Sequence, residues 1–180
     1  MVYVFLADGF EEIEAIVPID LLRRAGIAVK TVGVGSSTPT GSHGITVMAD
    51  ISEDVFLPDK DTQAIVLPGG AGVANLERSE MVKRAVRLAS EKDITLAAIC
   101  GAPTILAEAG LLRGKRATVF PKYAQKLGAS YMPEPVVYDE PFLTAKSAAV
   151  AVDFALKLIE IVKNKKAADA VAAAICYISH

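Results

Sequence analysis

The sequence of 180 residues contains no tryptophan, two cysteines and two histidines. Two cysteines, Cys100 and Cys176, are too few for a disulfide framework or a cysteine-based metal site. The two histidines, His43 and His180, each lack a second histidine at ligand spacing. We therefore expect neither a disulfide-stabilised scaffold nor a structural zinc site, and we assign no metal ligands.

An excess of charge of either sign is also missing. Nineteen basic and 21 acidic residues give a formal net charge of −2, which provides no electrostatic basis for binding nucleic acid or an anionic membrane. No apolar run reaches the length of a membrane span, and the N-terminus has no basic region followed by a cleavage-site pattern. We expect a cytoplasmic protein without nucleic-acid or membrane partners.

Composition and hydrophobic periodicity predict one globular α/β domain over residues 1–180. Hydrophobic residues make up 52% of the chain and charged residues 22%, and no linker or repeat divides the sequence. Short apolar runs alternate with helical patterns, which predicts a mostly parallel sheet covered on both faces. The predicted strands are VYVFL, AVKTVGVG, AIVL, ITLAAIC, RATVF and PFLTA. The main predicted helices are IEAIVPIDLLRRAG, SEMVKRAVRLASEKD, APTILAEAG, SAAVAVDFALKLIEIVK and KAADAVAAAICYI.

Cys100 lies between a predicted strand and a predicted helix, at the strand end where ligands gather in parallel sheets. Ala98 and Ala102 provide the small neighbours that a sharp nucleophile turn requires, and Gly101 adds backbone freedom. A helix N-terminus lowers a cysteine pKa, so we expect a reactive thiol there. The alternative is a small buried hydrophobic residue. Cys176 follows three alanines in a predicted helix, and we assign it to packing.

Two further segments are predicted at the same edge of the sheet. The glycines of LPGG, residues 67–70, carry no side chains that would obstruct their backbone amides. Together with the amide of Gly101, these amides could form an oxyanion hole. An ordinary tight turn explains the glycines equally well. Glu14 lies between Ile13 and Ile16 near the apolar stripe of a helix, which favours an inward carboxylate. A partly exposed helix carboxylate is the alternative for Glu14.

Four blocks together resemble the DJ-1 branch of the DJ-1/PfpI superfamily. They are EEIEAIVPIDLLRRAGI, VLPGG, LAAICGAPTILA and DFALKLIE, in the same order and at similar spacing. The resemblance implies a flavodoxin-like three-layer sandwich with a nucleophile elbow, a homodimer and no cofactor. It assigns the reactive cysteine to Cys100, the partnering glutamate to Glu14, and the oxyanion-hole amides to Gly70 and Gly101.

The implied pair raises an electrostatic problem, because an ionised carboxylate disfavours a neighbouring thiolate. The two groups are compatible if Glu14 stays protonated and donates a hydrogen bond to the Cys100 sulfur. Burial of Glu14 would raise its pKa in the required direction.

The sequence departs from the family pattern in the surroundings of the predicted nucleophile. Phe120-Pro121 stands where many members have histidine-proline, as in some bacterial relatives, and Gly101 stands where peptidase relatives have histidine. The loop AKSAAVA, residues 145–151, replaces the usual SRGPGT or SQGPGT loop, which leaves substrate size open. His43 falls near a family arginine at the edge of the site, with a plain surface histidine as the alternative.

These residues support three functional hypotheses. The first is a slow, glutathione-independent glyoxalase or deglycase-like enzyme. It converts methylglyoxal, glyoxal or their early adducts to hydroxy acids through a Cys100 hemithioacetal, with Glu14 as proton shuttle. The second is a protein that senses or protects against oxidants through Cys100 oxidation, or a holdase chaperone. The third is a cysteine peptidase or amidase, which needs a histidine near Cys100 and ranks last.

Overall fold

A computed structural model describes residues 1–178 and contains two β-sheets. The central sheet has seven strands: β1 (Val2–Ala7), β2 (Val29–Val34), β3 (Ile51–Ser52), β4 (Ala64–Leu67), β5 (Thr95–Ile99), β8 (Val136–Asp139) and β9 (Phe142–Ala145). The strands lie in the order β3-β2-β1-β4-β5-β9-β8. Two short strands, β6 (Arg116–Ala117) and β7 (Ser130–Tyr131), form a separate parallel pair.

The central sheet is parallel except at one edge, where β8 runs antiparallel to β9. All residues of β1, β4, β5 and β9 are buried, which explains the continuous apolar runs in the sequence. The carboxyl ends of β1, β4 and β5 therefore lie side by side in the middle of the sheet, the place where open α/β sheets bind ligands.

Helices cover both faces of the sheet. They are α1 (Glu12–Arg24), α2 (Val73–Arg78), α3 (Glu80–Glu91), α4 (Pro103–Glu108), α5 (Ala151–Val162) and α6 (Lys165–Ala174). Side chains alternate along β1: Val2, Val4 and Leu6 pack with α1, α5 and α6, whereas Tyr3 and Phe5 pack with α2, α3 and α4. Two apolar cores separated by the sheet make the three-layer α/β sandwich that the sequence predicts.

Some predicted boundaries differ from the structure. RATVF forms only the two-residue strand β6, because the residues after it bond to other segments instead of a partner strand. The Thr118 N–H donates to Thr144 Oγ1, and the Phe120 N–H donates to the Cys100 carbonyl. The long helix predicted from residue 147 begins with a 3₁₀ turn, Ala148–Val150. The strands β3, β7 and β8 and the helix α2 were not predicted, since they are short and lack clear periodicity.

The assignment of Cys176 to packing is wrong. Helix α6 ends at Ala174, and Cys176 is an exposed free thiol with a φ of 54° just beyond that end. A position after a helix C-terminus favours the left-handed conformation, and this places the side chain outside the helix packing. His180 lies outside the described residues. No helix within residues 1–178 is both long and apolar enough to cross a membrane.

The core on the α5 side generates a stability prediction. Phe154 of α5 is fully buried in the apolar core between α1, α5 and the sheet, so Phe154→Ala leaves a cavity in this core. We expect the free energy of unfolding to fall by about 3–5 kcal/mol, measured by denaturant titration. Val55→Ala is the control, because Val55 is 71% exposed and its truncation should change stability by less than about 0.5 kcal/mol. Equal losses in the two variants would contradict this core assignment.

Candidate active site

Cys100 occupies a sharp turn between β5 and α4. Its φ of 62° is in the left-handed region, which is strained for a residue with a side chain. Two backbone hydrogen bonds hold the turn: the Cys100 N–H donates to the Ala145 carbonyl at 2.9 Å, and the Cys100 carbonyl accepts from the Phe120 N–H at 2.8 Å. Ala98 and Ala102 are completely buried on either side. The predicted elbow is therefore present, and the Cys100 side chain is half-buried.

Glu14 points into the protein, as its position on α1 predicted, with an exposed fraction of 1%. Its Oε2 accepts a hydrogen bond from the Gly69 N–H at 2.8 Å. Its Oε1 is buried and has no nitrogen or oxygen partner among residues 1–178. Its neighbours Ile13 and Ile16 are 51% and 39% exposed, however, so the predicted apolar stripe beside Glu14 does not face the protein interior.

Burial is the main reason why the pKa of Glu14 is raised, to about 7. The charge of Glu11 raises this pKa further, whereas the hydrogen bond from the Gly69 amide and the nearby Cys100 thiol and Ala148 amide lower it. Ala148 belongs to the loop at residues 145–151 that departs from the family pattern. The altered loop therefore influences the pKa of Glu14 through a backbone amide, which any sequence can supply.

The structure corrects the expectation that the pKa of the Cys100 thiol is lowered. Burial raises this pKa to about 12, and the charge of an ionised Glu14 and the hydrogen bond with it act in the same direction. Hydrogen bonds from the Gly101 and Gly70 amides favour the thiolate but are outweighed. The helix N-terminus alone does not activate this thiol. Loss of the negative charge on Glu14 removes the electrostatic opposition to a thiolate.

Gly69 and Gly70, which follow β4, position their backbone amides next to Glu14 and Cys100. A Cβ at Gly69 would lie 2.6 Å from Glu14 Oε2 and 2.7 Å from Cys100 Cβ, so no other residue fits between the two groups. Gly70 has a φ of 90° and packs against the backbone of Phe10. Sequence reasoning selected Gly70 and missed Gly69 as the partner of Glu14. The signal was the same LPGG motif, but the sequence does not show which glycine amide faces which group.

His43 is bound to the start of α1 rather than free at the edge of the site. Both its backbone N–H and its Nδ1–H donate to the carboxylate of Glu12, at 2.7 and 2.8 Å. Burial acts to raise the pKa of Glu12, but these hydrogen bonds outweigh it and lower the pKa to about 2. The pKa of His43 is raised, first by the Glu12 hydrogen bond and then by the charge of Glu11.

Among residues 1–178, Glu11, Glu12 and His43 form a group of potential metal ligands, whose ligand atoms all lie within 4.8 Å of one another. Both oxygens of Glu12 already accept hydrogen bonds from His43, and Nδ1 of His43 is used in one of them. Glu12 and His43 therefore form a carboxylate–imidazole pair that anchors the loop around His43 to α1, and we assign no metal to the three residues.

Phe120 and Tyr123 border the nucleophile on its other side. Phe120 is 37% exposed and its N–H holds the Cys100 carbonyl. Tyr123 lies over Gly101, since a Cβ on Gly101 would be 3.3 Å from the Tyr123 ring and 3.5 Å from a methyl group of Val73. Sequence reasoning named Phe120 but missed Tyr123, which follows two residues after a proline in a segment without periodicity.

The site as a whole joins a strained cysteine, a buried carboxyl group and converging backbone amides, with no imidazole in contact with the thiol among residues 1–178. This combination on a flavodoxin-like sheet is typical of α/β proteins that carry a cysteine on a nucleophile elbow. The sequence from residue 1 to 161 matches the model of the DJ-1/PfpI family. The chain belongs to the DJ-1/PfpI family.

Similar proteins agree with this assignment. The chain is 36% identical to protein dj-1beta of Drosophila melanogaster over 174 residues, covering 94% of this chain and 92% of the relative. The crystal structure of that fly protein superposes with a TM-score of 0.94 at 33% identity, covering 99% and 98% of the two chains. A deglycase of Pyrococcus abyssi is 32% identical over 151 residues, covering 81% and 89%. The structure titled oxidized Toxoplasma gondii DJ-1 has a TM-score of 0.91 at 31% identity, covering 99% and 98%.

The opposite pKa shifts of Glu14 and Glu12 predict opposite pH dependences of stability. The folded-state pKa of Glu14 is raised above its ordinary value of 4.5, so its contribution is fully present below pH 4.5 and is lost as the pH rises through about 7. Between these pH values, wild type should lose about 3 kcal/mol of unfolding free energy that Glu14→Gln does not lose. Denaturant titrations at several pH values measure this difference.

Glu12→Gln is the matched control. Because the folded-state pKa of Glu12 is lowered to about 2, its contribution is present above pH 4.5 and is lost as the pH falls through 2. Glu12→Gln should therefore differ from wild type in its acid limb and retain the loss between pH 4.5 and 7. Parallel wild-type and Glu14→Gln profiles across that interval would contradict the burial of an ionisable Glu14.

Proposed function

We propose that the protein is a cofactor-independent thiol enzyme that converts reactive dicarbonyls, or their early adducts, to hydroxy acids. The observation that carries the proposal is the buried Glu14 beside Cys100, with a pKa raised to about 7. A group with a pKa near the working pH both gives and takes protons readily, as a proton shuttle must. The relative named deglycase supports a small carbonyl substrate.

The first step requires a thiolate, and the proposal assigns the remaining proton of the pair to Glu14. An ionised Glu14 would leave its buried Oε1 without a donor, whereas the protonated form lets that oxygen donate to the sulfur. The Gly70 and Gly101 amides stabilise the charge on the sulfur. The thiolate attacks the aldehyde carbon, the C–S bond forms, and the carbonyl oxygen takes the proton of Glu14. The product is a hemithioacetal.

The second step is an internal redox isomerisation. The Glu14 carboxylate removes the hydrogen from the former aldehyde carbon and returns a proton to the neighbouring carbon, while the hydroxyl proton passes between the two oxygens. The first carbon is oxidised by two electrons and the second is reduced by two, so no external oxidant is needed. Water then hydrolyses the resulting thioester: its hydroxide adds to the acyl carbon, the C–S bond breaks to give the thiolate, and the remaining proton returns to the Glu14 carboxylate, so that the hydroxy acid leaves and the starting state is restored.

Slow turnover follows from the site composition. Phe120 occupies the position where the resemblance implies a histidine, and the side chain of His43 is bound to Glu12. Glu14 alone must therefore serve both proton transfers. A missing acid–base group costs on the order of a hundredfold or more in rate. The same arrangement disfavours a cysteine peptidase, which needs an imidazole at the thiol.

A specific observation favours a second function, oxidation sensing or protection. The amides and the protonated carboxyl that hold a thiolate also suit a sulfinate, whose oxygens accept hydrogen bonds. A neighbour of this fold is titled as oxidized DJ-1. The proposal also includes a cytoplasmic homodimer, for which the exposed Ile13 and Ile16 of α1 offer an apolar surface.

The decisive test counts turnovers. Methylglyoxal without glutathione should yield many equivalents of lactate per chain for wild type and for the control Cys176→Ser, and none for Cys100→Ser. Glu14→Gln should lower kcat by a factor of about a hundred or more while still forming the hemithioacetal, because Gln cannot shuttle a proton. A yield that stops near one equivalent would contradict the enzyme and leave oxidation of Cys100 as the function.

A further inference from the structure

The 3₁₀ segment Pro121–Lys126 places two ammonium groups against an aromatic wall of the site. Lys122 Nζ lies 4.7 Å from the centroid of the Tyr123 ring and 5.9 Å from that of Phe120. Lys126 Nζ lies 5.9 Å from the Tyr123 centroid. These distances are typical of cation–π contacts, which hold each lysine close to the ring.

The wall is tied directly to the nucleophile. The Tyr123 ring occupies the space beside Gly101, and the Phe120 N–H bonds the Cys100 carbonyl. A single aromatic ring therefore separates the Lys122 ammonium from the backbone that follows Cys100. The ammonium groups lie within 6 Å of rings that border the site, and salt screens charge only partly over distances shorter than a Debye length, about 8 Å at physiological ionic strength.

The positive charges of Lys122 and Lys126 are not neutralised by ion pairs within the described residues. Neither Lys122 nor Lys126 forms an ion pair with a carboxylate of residues 1–178. On the other side of the site, the carboxylates of Glu11 and Glu12 lie 3.8 and 2.8 Å from His43 Nδ1. The site thus has a positive aromatic side and an acidic side whose negative charge His43 partly balances.

We propose that this wall selects substrates that carry a carboxylate a few bonds from the reacting aldehyde. The substrate class is an anionic 2-oxoaldehyde, whose carboxylate meets the ammonium groups while its aldehyde meets Cys100. A carboxylate beside the Phe120 and Tyr123 rings lies within reach of the exposed ammonium groups of Lys122 and Lys126. This inference rests on the proposed function for its reaction, but the electrostatic selection is measurable without turnover.

Alkylation of Cys100 tests the selection independently of catalysis. In a Cys176→Ser background, the probes are iodoacetate, which is anionic, and iodoacetamide, its neutral analogue. The ratio of the two rate constants, normalised to that of a free thiol, should fall by roughly three- to tenfold in Lys122→Met/Lys126→Met. Lys122→Arg/Lys126→Arg should keep the wild-type ratio. The control Lys30→Met/Lys60→Met removes the same net charge from exposed positions elsewhere and should leave the ratio unchanged.

Matched substrates test the same selection in turnover. The ratio of kcat/KM for 4-carboxyphenylglyoxal to that for phenylglyoxal should exceed one in wild type, and should fall by a similar factor in Lys122→Met/Lys126→Met and at high salt. A ratio of alkylation rates that is the same in wild type and the double Met variant would overturn the selection, whatever the turnover. Selective alkylation without turnover of either glyoxal would instead overturn the proposed function and leave the anion selection standing.

Discussion

The proton that Glu14 and Cys100 share in the proposed mechanism is the constraint on which the rest of the site depends. Both side chains are largely buried, and negative charges on both neighbouring groups at once are strongly disfavoured. The surrounding backbone is arranged for one charge and one proton. Gly69 gives an amide to Glu14, the Gly70 and Gly101 amides face the sulfur, and each of these positions lies at the carboxyl end of a central strand.

The first turn of α1 shows how local contacts decide the state of a carboxyl group. Glu12 and Glu14 are both buried and are separated by one residue, yet their pKa values shift in opposite directions. Glu12 receives two hydrogen bonds from His43 and stays ionised, which fixes the loop that carries His43. Glu14 accepts one hydrogen bond, from the Gly69 amide, and its second oxygen has no hydrogen-bond partner among residues 1–178, so burial dominates and the neutral form is favoured. The same helix therefore supplies a structural anion and a proton carrier.

The sequence was sufficient for the fold and the elbow, because these depend on patterns of small, apolar and alternating residues near one another in the chain. The role of Glu14 came from the family resemblance, since its neighbours Ile13 and Ile16 are exposed and form no inward apolar stripe. The sequence was not sufficient for contacts between distant segments. Nothing in the sequence shows that Ala148 reaches Glu14 or that Tyr123 covers Gly101. The pKa of Cys100 was predicted in the wrong direction, since a helix N-terminus is visible in the sequence and the extent of burial is not.

The location of the shared proton is the central claim, and infrared spectroscopy measures it most directly. In the Cys176→Ser background, Cys100→Ser identifies the S–H band and Glu14→Gln the carboxylic acid C=O band. Because Glu14 and Cys100 titrate as a coupled pair, the first of their two protons is lost near pH 7 and the second near pH 12. The proposed mechanism assigns the first loss to the sulfur, so the S–H band of Cys100 should disappear as the pH rises through about 7 while the C=O band of Glu14 remains. Loss of the C=O band with retention of the S–H band would place the proton on the sulfur and contradict the proposed activation of Cys100.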